Sequence, residues 1–255
     1  MIGLYVTVPV ACFRKGLARE YLETESLPPP STCYGFLLSL VGETRRTRHI
    51  GCRVSPGIIG RPGESTVLRT VWRCKDKNVW KDPTGKTHMV PNSEKKVFGK
   101  WASEQGWLQP EFTIGTGIGT NARPDYQQLL SGVEAVIWCD SSGESRDNGP
   151  VLEERVVSAL QSPSTISRFG GLSLGESTHL VDEVCLIDEG RRSRLPYRDA
   201  RSFLLHKTGR MTLPVWVDHV GSLGTRYVVG DLVEMPLEPP PLERMPVIEP
   251  PSPSA

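Results

Sequence analysis

The sequence has no apolar run near the ~20 residues that a membrane-spanning helix needs. It also lacks paired cysteines. Cys12, Cys33, Cys52, Cys74, Cys139 and Cys185 lie far apart, and no two form the CxxC spacing of a zinc or thioredoxin-type site. Buried free thiols in a reducing compartment are the expectation. Histidine is scarce: His49, His88, His179, His206 and His219 are the five, and none pairs with another at helical ligand spacing, so no metal site is expected. No internal repeat is visible. The start, MIGLYVTVPVACFRKG, carries its charge after the apolar stretch, the reverse of a signal peptide. These absences weigh against a membrane protein, a disulfide scaffold and a metalloenzyme, and place the expected protein in the cytoplasm.

What is present suits a globular chain of 255 residues, 38% hydrophobic and 23% charged, with a formal net charge of +1. That length fits one large domain or one domain with an insertion. The neutral total hides a split. Residues 45–100 hold fourteen Lys or Arg against four Asp or Glu, whereas residues 101–255 hold thirteen against twenty-one. A cationic stretch of that density attracts phosphate backbones over about a Debye length, ~8 Å at physiological salt.

Periodicity predicts a first strand over residues 3–9, from the alternation in GLYVTVP. After Pro28, Pro29 and Pro30, a helix through TCYGFLLSLVG is expected, capped by Ser31 or Thr32, burying Phe36, Leu37, Leu40 and Val41 and stopping at Gly42. Strands are expected around 49–59 and 65–72, in VEAVIWC, in THLVDEVCLI, and in LPVWVDHV and TRYVVGDLVEM. NARPDYQQLL reads as a short helix with Pro124 near its first turn, and PVLEERVVSAL as an amphipathic helix. Residues 76–118 read as an inserted arm of short strands and loops. Residues 1–235 then form a single domain, and the proline-rich segment 236–255 an extended or disordered tail. The order of elements predicts an α+β, ferredoxin-like (RRM-like) domain whose open sheet face can stack bases.

Three motifs tempt and fail on context. Gly85-Lys86-Thr87 has Trp80 where a P-loop needs glycine. Gly115, Gly117 and Gly119 have GxGxG spacing with no βαβ unit around them. Gly171-Leu172-Ser173-Leu174-Gly175 matches a GxSxG nucleophile elbow, with His206 and His219 downstream, but a strand-like run follows where a helix is needed. The glycine-rich segment has a better use. Glycines let a backbone approach phosphates, and successive N–H groups make an anion nest, to which Arg168, Ser173 and Ser177 add donors.

LYVTVPVACFR followed by YLETESLPPPSTCYGFLLSLVGE resembles the start of the "Cas five" family of CRISPR-associated subunits, found in type I Cascade complexes. VLRTVWR, NARPDYQQLL and RFGGLSLGESTHLV are similar to its DevS, or Myxan, subtype. The resemblance covers residues 1 to about 75 and 121 to about 190. It implies membership of the RAMP superfamily, a ferredoxin-like domain with a protruding thumb, and a role capping the 5′ handle of the CRISPR RNA (crRNA). The implied partners are that handle and the backbone and large subunits of Cascade, with target DNA beside the protospacer-adjacent motif as a further candidate partner of the arm. No membrane and no cofactor are implied. Arg14, Lys15, Arg19, Arg69, Arg73 and Arg123 can neutralise handle phosphates, and Trp72 can stack on a splayed base. The family pattern puts Ser31 and Tyr34 at the RNA-facing helix start and Gly170, Gly171, Ser173 and Gly175 in the glycine loop. The expected protein is not an enzyme. The alternative is a metal-independent endoribonuclease acting on precursor crRNA, with His49 and Arg46, or His88 and Lys86, as base and cation.

Overall fold

Alternation of apolar side chains makes β1, Ile2–Ala11, a strand buried on both faces: Leu4, Val6 and Val8 enter one core and Tyr5 a second. The computed structural model describes residues 1–15, 21–72, 77–81, 84, 86–91, 100–101, 103–105, 113–115, 122–147, 149–168, 170–195, 198–218 and 224–251, without the side chains of 70–72, 77–81, 87–91, 113–115 and 122–123. The chain divides into two units, Met1–Val67 with Gln127–Ala255, and Leu68–Tyr126.

The first unit is built on a mixed α/β plan dominated by an antiparallel sheet. Its strands are β1, β2 (Tyr21–Leu22), β3 (Arg53–Ile59), β4 (Gly63–Trp72), β8 (Ala122–Asp140), β9 (Glu183–Leu186), β10 (Asp199–Leu205), β11 (Met211–Trp216) and β12 (Arg226–Pro236), of which β4 and β8 run on into the second unit. The sheet order is β11-β12-β10-β3-β8-β1-β9, and β2 and β4 also pair with β8. Strand β8 is central: Tyr5 faces Val136 on one side of it and Gly57 faces the same residue on the other. Gly3 faces Trp138, and a Cβ at Gly3 would stand 2.3 Å from the indole ring, so only glycine leaves room for that side chain.

Helix α1, Pro30–Leu40, carries the chain from the end of β1 back to the start of β3. Its first residue is proline, whose missing N–H lacks an intrahelical partner anyway. No side chain caps it, so the expected Ser31 or Thr32 cap is not made. Phe36, Leu37, Leu40 and Val41 are buried as expected, and Gly42 ends the helix with φ +65° and its N–H on the Ser39 carbonyl. Helix α2, Leu152–Gln161, begins with a reciprocal cap. The Ser141 N–H donates to Glu153 at 2.5 Å, the Glu153 N–H donates to Ser141 Oγ at 3.1 Å, and Glu144 accepts from the Leu152 N–H. A short helix α3, Glu189–Arg194, is capped by Asp188.

Three further sequence expectations fail. Within NARPDYQQLL, residues 122–130 are strand, the opening of β8, not helix. The proline-rich segment is packed from 236 to 251. Leu237, Met245 and Ile248 are buried, and Ile248 exchanges backbone bonds with Gly51 and Cys52. That packing removes the open sheet face: Tyr5, Val136 and Trp138 lie in a second core with Ile187, Leu237 and Met245. Bases therefore cannot stack on the middle of the sheet. Strand β10 is an addition to the elements that periodicity predicts.

The second unit, Leu68–Tyr126, contains a three-stranded sheet of order β6-β5-β7 from β5 (Lys77–Lys81), β6 (Thr87–Pro91) and β7 (Thr113–Gly115), in register through Val79 with Met89 and Thr113. Among the described residues no helix is long and apolar enough to cross a membrane. The described cysteines Cys12, Cys33, Cys52, Cys139 and Cys185 are free. No group of potential metal ligands gathers among the described residues.

Candidate nucleic-acid interface

The glycine-rich segment folds into a tight turn seated on the end of β1. Ser173 bridges to Leu180, Val181 N–H donates to the Leu172 carbonyl at 3.0 Å, and Leu174 is fully buried as the anchor. The Cys12 N–H donates to Nδ1 of His179 at 3.1 Å, and the Asp182 N–H donates to the Thr7 carbonyl at 2.9 Å. Burial pushes the Cys12 thiol up from its ordinary range, against hydrogen bonds that lower it. Gly175 has φ +105°, and a Cβ there would stand 2.8 Å from the Cys12 carbonyl oxygen. Gly170 (φ +79°), Gly171, Gly175 and Ser177 are exposed, while Ser173 is half-buried. The backbone is thus presented outward on a fixed frame, and Ser173 is part of a β-bridge, not of a strand-to-helix elbow.

Two predicted cations continue from this seat. Arg14 and Lys15 follow Phe13 directly and are exposed; Lys15 makes only a loose surface pair with Glu23 at 3.8 Å. Arg168 is exposed at the entry to the loop, bordering a hollow with Gly35, Ser39 and Gly42 of the α1 side. Ser31 is half-buried in the first turn of α1. Tyr34 is a correction. It is 4% exposed, its hydroxyl donates to the Arg46 carbonyl at 2.7 Å, and burial pushes its ionisation up. It is a packing residue, closed off from RNA. Arg69 is exposed in the second unit. Arg19 and Arg73 lie outside the described residues, as do the side chains of Trp72 and Arg123.

His49 of the nuclease alternative is buried and paired. His49 is 2% exposed, with Nδ1 2.6 Å from Glu144 and Nε2 2.9 Å from Arg155. Arg46 lies over the Trp216 ring at 4.0 Å and donates to the Val217 carbonyl at 2.6 Å. The two side chains are committed to separate partners. The side chain of His88 lies outside the described residues. Around His49, Glu43 accepts from Arg155 at 2.6 Å and from Arg48 at 2.8 Å. Burial tends to raise the Glu43 carboxyl, but the Arg45 N–H and the two guanidiniums outweigh it and hold the group down to about 2.

Register shows which groups share the loop's end of the sheet. β1 ends with Ala11 opposite Leu130, β3 ends with Ile59 opposite Glu134, and β10 begins beside it with Arg201 opposite Ile58. From β10 to β1 is three strand spacings, about 14 Å. Arg61, Arg198 and Arg201 therefore lie on the same rim as Arg14 and Lys15. Sequence reasoning does not single them out. For Arg198 and Arg201 the signal is the run RRSRLPYRDAR, with five arginines in eleven residues.

No family model matches the chain. It is 48% identical over 248 residues to the CRISPR-associated protein Cas5 of Myxococcus xanthus (strain DK1622), covering 97% of both. A chain of a CRISPR RNA-guided surveillance complex has a similar fold, with TM-score 0.52 at 11% identity over 93% of this chain and 91% of that one. A crystal structure of a Cas protein gives TM-score 0.42 at 13% identity, over 96% and 98%. On the identity to the Myxococcus protein, held over nearly the whole length of both, the chain belongs to the CRISPR-associated Cas5 family.

Proposed function

We propose that this chain is a non-catalytic RNA-binding subunit of a type I Cascade complex, which caps the 5′ handle of the crRNA and docks backbone and large subunits. The observation that carries the reading is the glycine turn, with its exposed backbone held against Cys12 by His179 and flanked by Arg14 and Lys15. Backbone N–H groups and guanidiniums on a fixed frame suit a bent phosphate chain, which they position without reading its sequence. The family's name and the surveillance complex of similar fold agree with this.

The finer fold reading is a ferredoxin-like RAMP domain of DevS type. It is supported by the order β1-α1-β3-β8-α2-β9 along the chain with sheet order β9-β1-β8-β3, the split β-α-β arrangement of that fold. The second unit is the thumb, available to the target duplex. The cytoplasm is the expected compartment. A nuclease role has less support, because both ring nitrogens of His49 are engaged.

The test is assembly. Cascade reconstituted with R14A/K15A should lose guide RNA on washing at moderate salt while its protein subunits stay associated. Undiminished guide retention would contradict the assignment of the handle to this surface.

A further inference from the structure

A second concave surface lies on the same rim, between the β3–β4 turn and the start of β10. Arg61 stands in the turn, Arg198 just ahead of β10 and Arg201 within it, with Asp199 and Glu234 alongside. Arg201 Nη2 donates to the Gly60 carbonyl at 3.1 Å, which fixes that guanidinium against the turn. Arg61 and Arg198 make no ion pair within 4.0 Å among the described residues, although Asp199 and Glu234 share the cleft. Arg198 also borders an adjoining hollow with Arg192, whose Nε is buried without a hydrogen-bond partner among the described residues.

The two kinds of charge narrow the ligand. Uncommitted guanidiniums in a concavity take an oxyanion, and a phosphate offers the oxygens for a forked contact. Carboxylates repel phosphate but accept hydrogen bonds from a hydroxyl or an exocyclic amine. A ribonucleotide carries both an oxyanion and a hydroxyl, and its 2′-hydroxyl is the donor that DNA lacks. We infer that this cleft is a ribonucleotide subsite, in which Arg61 and Arg198 hold a backbone phosphate and Asp199 accepts the ribose 2′-hydroxyl. It rests on the RNA reading above and adds to it a site that discriminates RNA from DNA. Strand spacing places the cleft about 14 Å across the sheet from β1, and the register sets Arg201 level with Val6, five residues short of the end of β1.

The test uses the full chain, fluorescently labelled cognate repeat RNA and a DNA oligonucleotide of the same sequence, with binding read by anisotropy over a salt series. R61A/R198A should weaken RNA binding about 10-fold or more. It should also flatten the salt slope by about 0.7 for each phosphate that the variant no longer neutralises. R61K/R198K keeps the charge without the fork and should fall between, which supplies a reading should the alanine variant fold poorly. D199A removes the acceptor and should narrow the preference for RNA over DNA, and a single 2′-deoxy substitution in the RNA should cost affinity in the wild type but not in D199A. Wild-type chain that fails to bind repeat RNA overturns the RNA reading itself. Wild-type binding with an unchanged affinity and slope in R61A/R198A overturns the cleft alone. Equal losses for RNA and DNA, with D199A silent, overturn the ribonucleotide assignment.

Discussion

The backbone N–H of Cys12 donates to Nδ1 of His179 at 3.1 Å, joining the end of β1 to the far side of the glycine turn. The acceptor must be an unprotonated Nδ1, so the ring carries its proton on Nε2. H179A leaves the buried Cys12 N–H without this acceptor, which costs about 1–2 kcal/mol. The Cys12 amide should exchange faster with solvent and the thermal midpoint should fall. H179N, whose side-chain oxygen can take the place of Nδ1, should restore most of both. Slow exchange at Cys12 in H179A would show that the turn is held some other way.

Gly175 and Gly170 both have positive φ, but only Gly175 also meets an obstacle, the Cys12 carbonyl. G170A should cost about 1 kcal/mol, since nothing lies within 4 Å of its added methyl. G175A should cost about 2–3 kcal/mol, and it should reduce RNA affinity because the turn must lift from its seat. Denaturant midpoints separate the two. Equal midpoints would contradict the seating of the turn on β1.

Glu43 sets an acid limit. Its folded-state carboxyl lies at about 2, below the ordinary value of 4.5, because the hydrogen bonds from Arg45, Arg155 and Arg48 outweigh the cost of burial. A depressed carboxylate contributes stability that is present above its unfolded value and is lost as pH falls from about 4.5 towards 2. E43Q should therefore lower stability at neutral pH, by about 2–3 kcal/mol. It should also show a weaker dependence on pH across that acid range. A variant and wild type that lose stability in parallel below pH 4.5 would contradict this role.

The regular elements were legible where one local period decides them. The alternation of β1 and the apolar spacing of α1 and α2 read correctly, and so did the stop at Gly42, because each depends on neighbours in sequence. NARPDYQQLL misled because its local chemistry suits a helix start, whereas pairing across distant residues extends β8 through it. The tail misled through composition. Proline lacks an N–H but keeps its carbonyl, and Pro246 uses that carbonyl to accept from Val54. Near the candidate interface, the exposed turn of the glycine segment was legible from its own residues. Tyr34 was not, since burial under the 41–50 loop is a tertiary fact. Nor was the gathering of Arg61 with Arg198 and Arg201, residues more than 130 positions apart that only the β3–β10 pairing brings together.

The packed tail gives its own prediction. Ile248 is fully buried in the main core. I248A should cost about 2–4 kcal/mol, a loss that a free tail would not show. Ending the chain at Pro236 should expose the face that holds Tyr5 and Trp138 and cause aggregation or strong dye binding. Unchanged melting of both variants would return the segment to the status of a disordered tail.

The central claim, RNA capture without cleavage, is tested most directly by incubating the purified chain with end-labelled cognate repeat RNA in the absence of metal, with native and denaturing gels run in parallel. The expected result is a shifted band on the native gel and intact RNA on the denaturing one. A discrete cut at the base of the repeat hairpin, abolished in H88A or H49A, would contradict the claim and make the chain an endoribonuclease.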